Sequence, residues 1–277
     1  MIKSATFPFH FWQPDFHTAA PTPVSAMLSS IVVKLGIYGF IRMNTLLFID
    51  YSALLQAILV SLGITGIVIG GLSAIGTHHV KRMLAYSTLA QVGFILVAIG
   101  WHTPLAFTAA LVFAFNHAVA KAAMLMLAGY VASRASVKSA AFDIVTGVGR
   151  PLPMAGALFM IGSLGLAGIP PTNGFISKML VFKSGIAAQH LGALLLIGLA
   201  STLTLVYTMR AFMRIWWQAP VEGVRTKSDG DRILAPFMLV VLVLMLGIFA
   251  DPLVQLAREA ALRLLDPEMY IRAVLGP

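Results

Sequence analysis

Gly168-Ile169-Pro170-Pro171-Thr172-Asn173-Gly174 interrupts an otherwise apolar run between residues 153 and 186, and how that interruption is read decides the fold. Adjacent prolines remove two amide donors and turn the preceding residue away from helical geometry. Glycines at 168 and 174 permit the turn that follows. The segment is either two separate membrane spans or two halves of one broken helix, and loop charge separates the two cases. With one broken helix, one side holds Lys81, Arg82, Arg134, Lys138, Arg150, Arg210, Arg214, Arg225, Lys227 and Arg232, ten in all, against Arg42 and Lys183 on the other. With two spans, the basic loop at 210–232 falls on the opposite side from the rest. Cytoplasmic loops carry the excess of lysine and arginine. The count therefore predicts a broken helix, with loops 77–82, 132–152 and 214–232 in the cytoplasm.

Composition demands a membrane. The chain has 277 residues, 59% of them apolar and 10% charged, and a mean hydropathy of +0.90. Soluble chains run near ~45–50% apolar and ~25% charged. A soluble enzyme, a disordered chain and a nucleic-acid binder are excluded despite the net charge of +9. The absence of cysteine excludes a disulfide framework, thiolate zinc, a cysteine nucleophile and a self-contained iron–sulfur cluster. No cofactor and no metal site is expected. Apolar runs long enough to span occur at 22–47, 52–76, 83–101, 105–131, 190–213 and 233–252, with 153–186 as the broken one. The expected fold is an all-α polytopic membrane helix bundle, with about seven full spans and a partial first one. It divides into a membrane domain, 1–252, and an amphipathic or interfacial tail, 253–277.

The ten carboxylates avoid the middle of every expected span, but several basic residues do not. Lys34 and Lys121 lie deep in spans, and Lys178 follows the proline break. His117 precedes Lys121 by four residues, so the two share a helix face. A mid-span lysine costs ~2.5–3.5 kcal/mol on insertion scales. Each lysine either snorkels to the headgroups or faces a hydrated interior path. For Lys34 the nearest span end is ~18 Å away by helical rise, beyond the side chain's reach. An interior lysine can gain and lose a proton when a nearby charge moves, and a histidine one turn away can pass it on. Ser87, Thr88 and Gln91 form a polar patch, and Ser25, Ser29 and Ser30 lie near the face leading to Lys34; such hydroxyls also serve only to bond backbone or tighten packing. His78, His79 and His102 sit at span ends. His10 and His17 suit either an interfacial or a proton-path role.

These residues occur in ordered strings. Lys3 to Asp15 reads KSATFPFHFWQPD, 20–26 reads APTPVSA, and 33–38 reads VKLGIY. They continue with VKRMLAYSTLAQVG at 80–93, NHAVAKA at 116–122 and GIPPTNGFISK at 168–178. The set resembles the antiporter-like proton-channel family, which includes the large membrane subunits of respiratory complex I, of membrane-bound hydrogenases and of Mrp-type cation/proton antiporters, the Mrp D-type subunit above all. The resemblance implies a fourteen-helix fold of two inverted five-helix repeats, each with a broken helix. This chain then holds the second repeat, and its first six helices are missing. It also implies a proton relay of Lys3, Lys34, Lys81, His117, Lys121 and Lys178, with Pro170, Pro171 and Gly174 forming the helix break and Ser87, Thr88 and Gln91 supporting it. A glutamate partner for Lys3 is expected on the missing helices. His78-His79 replaces an acidic residue common before Lys81, and lysine at 178 argues against the complex I branch that carries glutamate there.

Three functions follow as expectations. The first is proton, or coupled sodium/proton, translocation in a multisubunit complex of the cell (inner) membrane, with hydrophobic partners that supply the missing helices. The second is the proton-pumping arm of an NADH:quinone oxidoreductase or membrane-bound hydrogenase, itself without redox centres. The third is a truncated remnant that conducts nothing. An intramembrane protease built on Ser163 lacks a histidine within a later span.

Overall fold

The computed structural model describes residues 1–48, 52–221 and 226–276; Arg225, counted among the basic loop residues, lies outside them. After turns at 2–11 come α1 (Trp12–Ala19), α2 (Thr22–Met27) and α3 (Val33–Arg42). π turns join α2 and α3 into one span, Thr22–Leu47. Then follow α4 (Ser52–Gly76), α5 (Val80–Gly100), α6 (Pro104–Ser133), the short α7 (Phe142–Val145), α8 (Pro153–Ala167) and α9 (Asn173–Ala187). The chain continues through α10 (Leu191–Phe212), α11 (Leu234–Ile248), α12 (Asp251–Leu264) and α13 (Pro267–Leu275). The architecture is the expected all-α bundle. Among the described residues, five helices are long and apolar enough to cross a membrane.

Local sequence sets the ends. Thr103 caps α6 by accepting the Ala106 amide at 3.1 Å, and Pro104 occupies the first turn, where its missing donor is not needed. α8 stops at Gly168, whose φ of +83° only glycine adopts freely. α9 restarts at Asn173 after the extended Thr172.

The broken-helix expectation holds geometrically. At one end of the bundle, Phe142 N donates to His78 O at 2.9 Å, Gly147 N to Arg214 O at 2.9 Å and Lys227 N to Arg134 O at 2.8 Å. The basic loops therefore meet at one end, from which α8 departs. The far end of α9 lies beside Trp101, whose ring stacks on His190 at 5.9 Å, at the opposite end. So α8 and α9 together make one crossing. The last expected span is shorter than the 233–252 run: α11 ends at Ile248 and the chain turns 76° into α12. Asp251-Pro252 starts a new helix there, and Ala257 and Ala261 of α12 pack into the apolar cluster that holds the beginning of α6.

α5 is the buried centre, with only Arg82 and Tyr86 not fully enclosed. α1, α4, α6, α9 and α10 all touch it. Leu191, Leu195, Leu199 and Val206 of α10 stay exposed, as a lipid-facing side requires.

Candidate functional site

Lysine ammonium groups inside the bundle are met by backbone carbonyls. Lys34 Nζ turns back to donate to Ser29 O at 2.6 Å. Lys121, with 0% exposure, donates from α6 to Leu84 O on α5 at 2.7 Å. Lys178 donates to Ala167 O at 2.7 Å, the last residue of α8, and to Ser201 Oγ on α10. Its Nζ also lies 5.2 Å from the centre of the Phe94 ring. Ending α8 early leaves terminal carbonyls unpaired, and the break thus supplies an acceptor for Lys178.

α5 connects the first two lysines. Thr88 Oγ1 donates to Leu84 O at 3.1 Å, so its single proton is spent and Ser29 Oγ must be the donor in their 2.9 Å bond. Lys34, Ser29, Thr88, the Leu84 carbonyl and Lys121 form one contiguous polar chain across α3, α5 and α6. One turn on, Gln91 reaches Leu166 O at 3.4 Å and Thr204 Oγ1 at 3.5 Å. Tyr207 OH donates to Ser87 Oγ at 2.7 Å.

From Lys121 inward the groups lose their partners. Both ring nitrogens of His117 are buried and unbonded, as are Asn116 Oδ1 and Asn173 Oδ1. Asn116 and Asn173 otherwise clasp α6 to α9: Asn116 Nδ2 donates to Asn173 O at 3.1 Å and Asn173 Nδ2 to Asn116 O at 3.2 Å. His117, Asn116, Asn173, Gln91 and Lys178 line one cavity of about 10 Å³, the threshold for a single water. Unmet polar atoms around such a space are the signature of a hydrated one.

At the basic end a far larger cavity, about 730 Å³, opens among Ala20, Pro23, His79, Lys81, Gly129, Lys138 and Asp231. Lys81 is among the residues lining it and donates to Ala20 O at 3.1 Å. His79, in the loop before α5, is held down to about 4 chiefly by burial, then by Lys81 and Arg82, with Asp143 opposing.

Among the expected site residues, Lys34, Thr88 and Lys121 share one bonded chain, Gln91, His117 and Lys178 line one small cavity, Ser87 is bonded by Tyr207, and Lys81 lines the separate cavity at the basic end. Lys3 stands apart, exposed on the N-terminal turns. His10 and His17 are both buried, with 5% and 0% exposure. Sequence reasoning missed Ser201, Thr204 and Tyr207 on α10. Their three-residue spacing within an apolar span was the available signal.

Residues 1–204 match the family described as NADH:quinone oxidoreductase/Mrp antiporter, TM. The D subunit of the Na(+)/H(+) antiporter of Bacillus subtilis (strain 168) is 31% identical over 99% of this chain and 56% of its own length. An NAD(P)H-quinone oxidoreductase chain 4 of Synechococcus sp. (strain JA-3-3Ab) is 31% identical over 80% of this chain and 43% of its own. Among solved structures, a chain of the Mrp complex from Dietzia sp. DQ12-45-1b superposes with a TM-score of 0.90 at 25% identity, over 99% of this chain and 59% of that one. The chain thus spans about half the length of the curated relatives it matches. With a family match over residues 1–204, this multi-pass membrane chain belongs to the NADH:quinone oxidoreductase/Mrp antiporter transmembrane family.

Proposed function

We propose that this chain carries protons through the membrane as part of a multisubunit cation/proton antiporter of the cell (inner) membrane, with Lys34, Lys121, His117 and Lys178 as the groups that hold the proton in turn. The observation that carries the reading is a pair of buried polar groupings inside the bundle. Lys34 and Lys121 end one bonded chain, and His117 and Lys178 share one small cavity. A buried lysine with carbonyl acceptors and no carboxylate on its ammonium is poised to be neutral or charged according to its neighbours. Lys81 collects protons at the large basic cavity. Lys3, exposed on the N-terminal turns, works against neighbouring helices that bring a carboxylate to it. Sodium as the exchanged cation accords with the Na(+)/H(+) antiporters to which the chain is similar.

A second assembly is favoured by one observation, the equal 31% identity to a quinone oxidoreductase chain. There the same column serves as the pumping arm, and electron transfer resides in other subunits.

Lys121→Arg tests the relay. Arginine keeps a permanent charge that cannot be released. In vesicles carrying the assembled complex, cation-driven proton flux should fall at least as far as in Lys121→Ala. Normal flux in Lys121→Arg makes Lys121 a fixed electrostatic post and removes it from the relay.

A further inference from the structure

The cavity at the basic end, about 730 Å³, falls in the ~300–1,000 Å³ range of ligand pockets, and its lining is two-sided. One side is cationic. Lys81, Lys138 and Arg232 line it against a single carboxylate, Asp231. Among the described residues none of these three cations forms an ion pair; the pairs there are Arg82 with Asp15 and Arg272 with Glu268. Lys81 is more than nine-tenths buried and donates to Ala20 O, which leaves two of its three donors. His79, held down to about 4, adds no positive charge near neutral pH. The other side is apolar, made by Met126 and Ala132 of α6 and by Ala235 and Pro236 of α11. Val24, Leu234 and Phe237, each next in sequence to a lining residue, are exposed, as lipid-facing positions are.

Backbone bonding builds this lining. Val80 N donates to Ala140 O at 2.8 Å and Phe142 N to His78 O at 2.9 Å, which pins the loop carrying Lys138 to the start of α5. Asp231 N donates to Ser133 Oγ at 2.9 Å and Arg134 Nη1 to Asp231 O at 3.0 Å, which pins the segment carrying Arg232 to the end of α6. Gly129 lets α2 close over α6 here, since a Cβ at 129 would lie 2.2 Å from Thr22 Cγ2. No side chain caps α11, so its first-turn amides, at Leu234 and Ala235, are free for an acceptor. Positive charge and donors thus converge on a space with one carboxylate to meet them.

We infer that this cavity is a binding site for a phosphate-bearing anion, held by Lys81, Lys138 and Arg232. Basic pockets between membrane helices on the cytoplasmic side take anionic lipid headgroups, and loop charge assigns this end to the cytoplasm. The apolar side then receives the start of an acyl chain. A free phosphate presents the same oxygens without the chain, so the two sources share the cations and differ only at the apolar side. The inference goes beyond the proposed function, because binding does not require that the lysines conduct protons.

The test is binding to the assembled complex, delipidated in neutral detergent. The probes are micelles doped with dioleoylphosphatidylglycerol, micelles doped with dioleoylphosphatidylcholine, and inorganic phosphate. Each basic residue near an anionic headgroup is worth roughly fivefold in affinity, so phosphatidylglycerol should bind saturably and about tenfold or more tighter than phosphatidylcholine. Lys138→Gln with Arg232→Gln should weaken it by about 25-fold. Arg150→Gln with Lys227→Gln removes the same charge from the same end but outside the lining, and should leave the affinity near wild type. Saturable phosphate binding that the cavity pair abolishes, with phosphatidylglycerol no tighter than phosphatidylcholine, supports the site and assigns it to free phosphate. Equal weakening by both double variants overturns the site, because the charge then acts as a general surface field. Phosphatidylglycerol no tighter than phosphatidylcholine, without saturable phosphate binding, overturns it as well. If the cavity pair does not assemble, Lys138→Gln alone decides, because its side chain is exposed: a loss of roughly fivefold supports the site, and unchanged affinity overturns it.

Discussion

Ser29 donates a hydrogen bond to Thr88 at 2.9 Å, and that one bond joins the carbonyl that holds Lys34 to the carbonyl that holds Lys121. Both hydroxyls are fully buried. Neither residue is ionisable, yet without the pair the two lysines belong to separate sites on separate helices.

Thr88→Val keeps the shape and removes the hydroxyl. Ser29 then loses its acceptor, a cost of ~1–3 kcal/mol for a buried group, small enough for assembly to survive. Proton flux should fall about tenfold or more while complex yield stays near wild type, and Thr88→Ser should recover most of the flux. Unchanged flux in Thr88→Val places the connection between Lys34 and Lys121 elsewhere.

Lys34→Ala and Lys178→Ala should each nearly abolish proton-coupled transport and leave insertion intact or improved. Removing an interior ammonium relieves an insertion cost of ~2.5–3.5 kcal/mol, so lost flux cannot be blamed on failed insertion. Flux and membrane yield measured on the same vesicles check both halves.

Gly174→Ala attacks the break. A Cβ at 174 overlaps the carbonyl oxygen of Gly165, a backbone atom that cannot swing aside. Overpacking of this kind costs ~1–3 kcal/mol or more, at ~2–4 °C of Tm per kcal/mol for chains of this size. Thermal unfolding in detergent should show a drop of several degrees, and the Lys178 acceptor at Ala167 should be displaced with it.

His79 gives a stability test outside the spans. Its folded value, about 4, lies below its ordinary 6.5, so between those values the unfolded chain binds more protons than the folded one. Its contribution is present above pH 6.5 and is lost as pH falls toward 4. His79→Gln should therefore narrow the gap between Tm at pH 7.5 and at pH 5. An identical acid loss in His79→Gln assigns that loss to other groups.

Cysteine placed at 138 and 227 in this cysteine-free chain should label from the same membrane side. The loops bearing them are bonded together through Lys227 N and Arg134 O. Labelling from opposite sides breaks the one-crossing arrangement of α8 and α9.

Sequence by itself determined the solvent, the class and the order of spans. Apolar runs between charges are a local property, and in a bilayer a continuous apolar run of ~20 residues satisfies its backbone as a helix, since barrel strands are short and alternate in polarity. Loop charge determined that 153–186 crosses once, because insertion responds to lysine and arginine counts rather than to packing. It also singled out the lysines, since an ammonium inside an apolar run is costly wherever the helix finally sits. What only the tertiary structure decided is which polar groups meet. Thr88 reaches Ser29 across 59 positions and Tyr207 reaches Ser87 across 120, contacts set by how helices rotate against one another. Hydropathy cannot see a serine or tyrosine that is buried by a neighbour rather than by lipid. For the same reason His17 read as an interfacial residue as readily as a proton-path one: its burial comes from tertiary packing around α1, which lies against α5, not from its own short, half-polar helix.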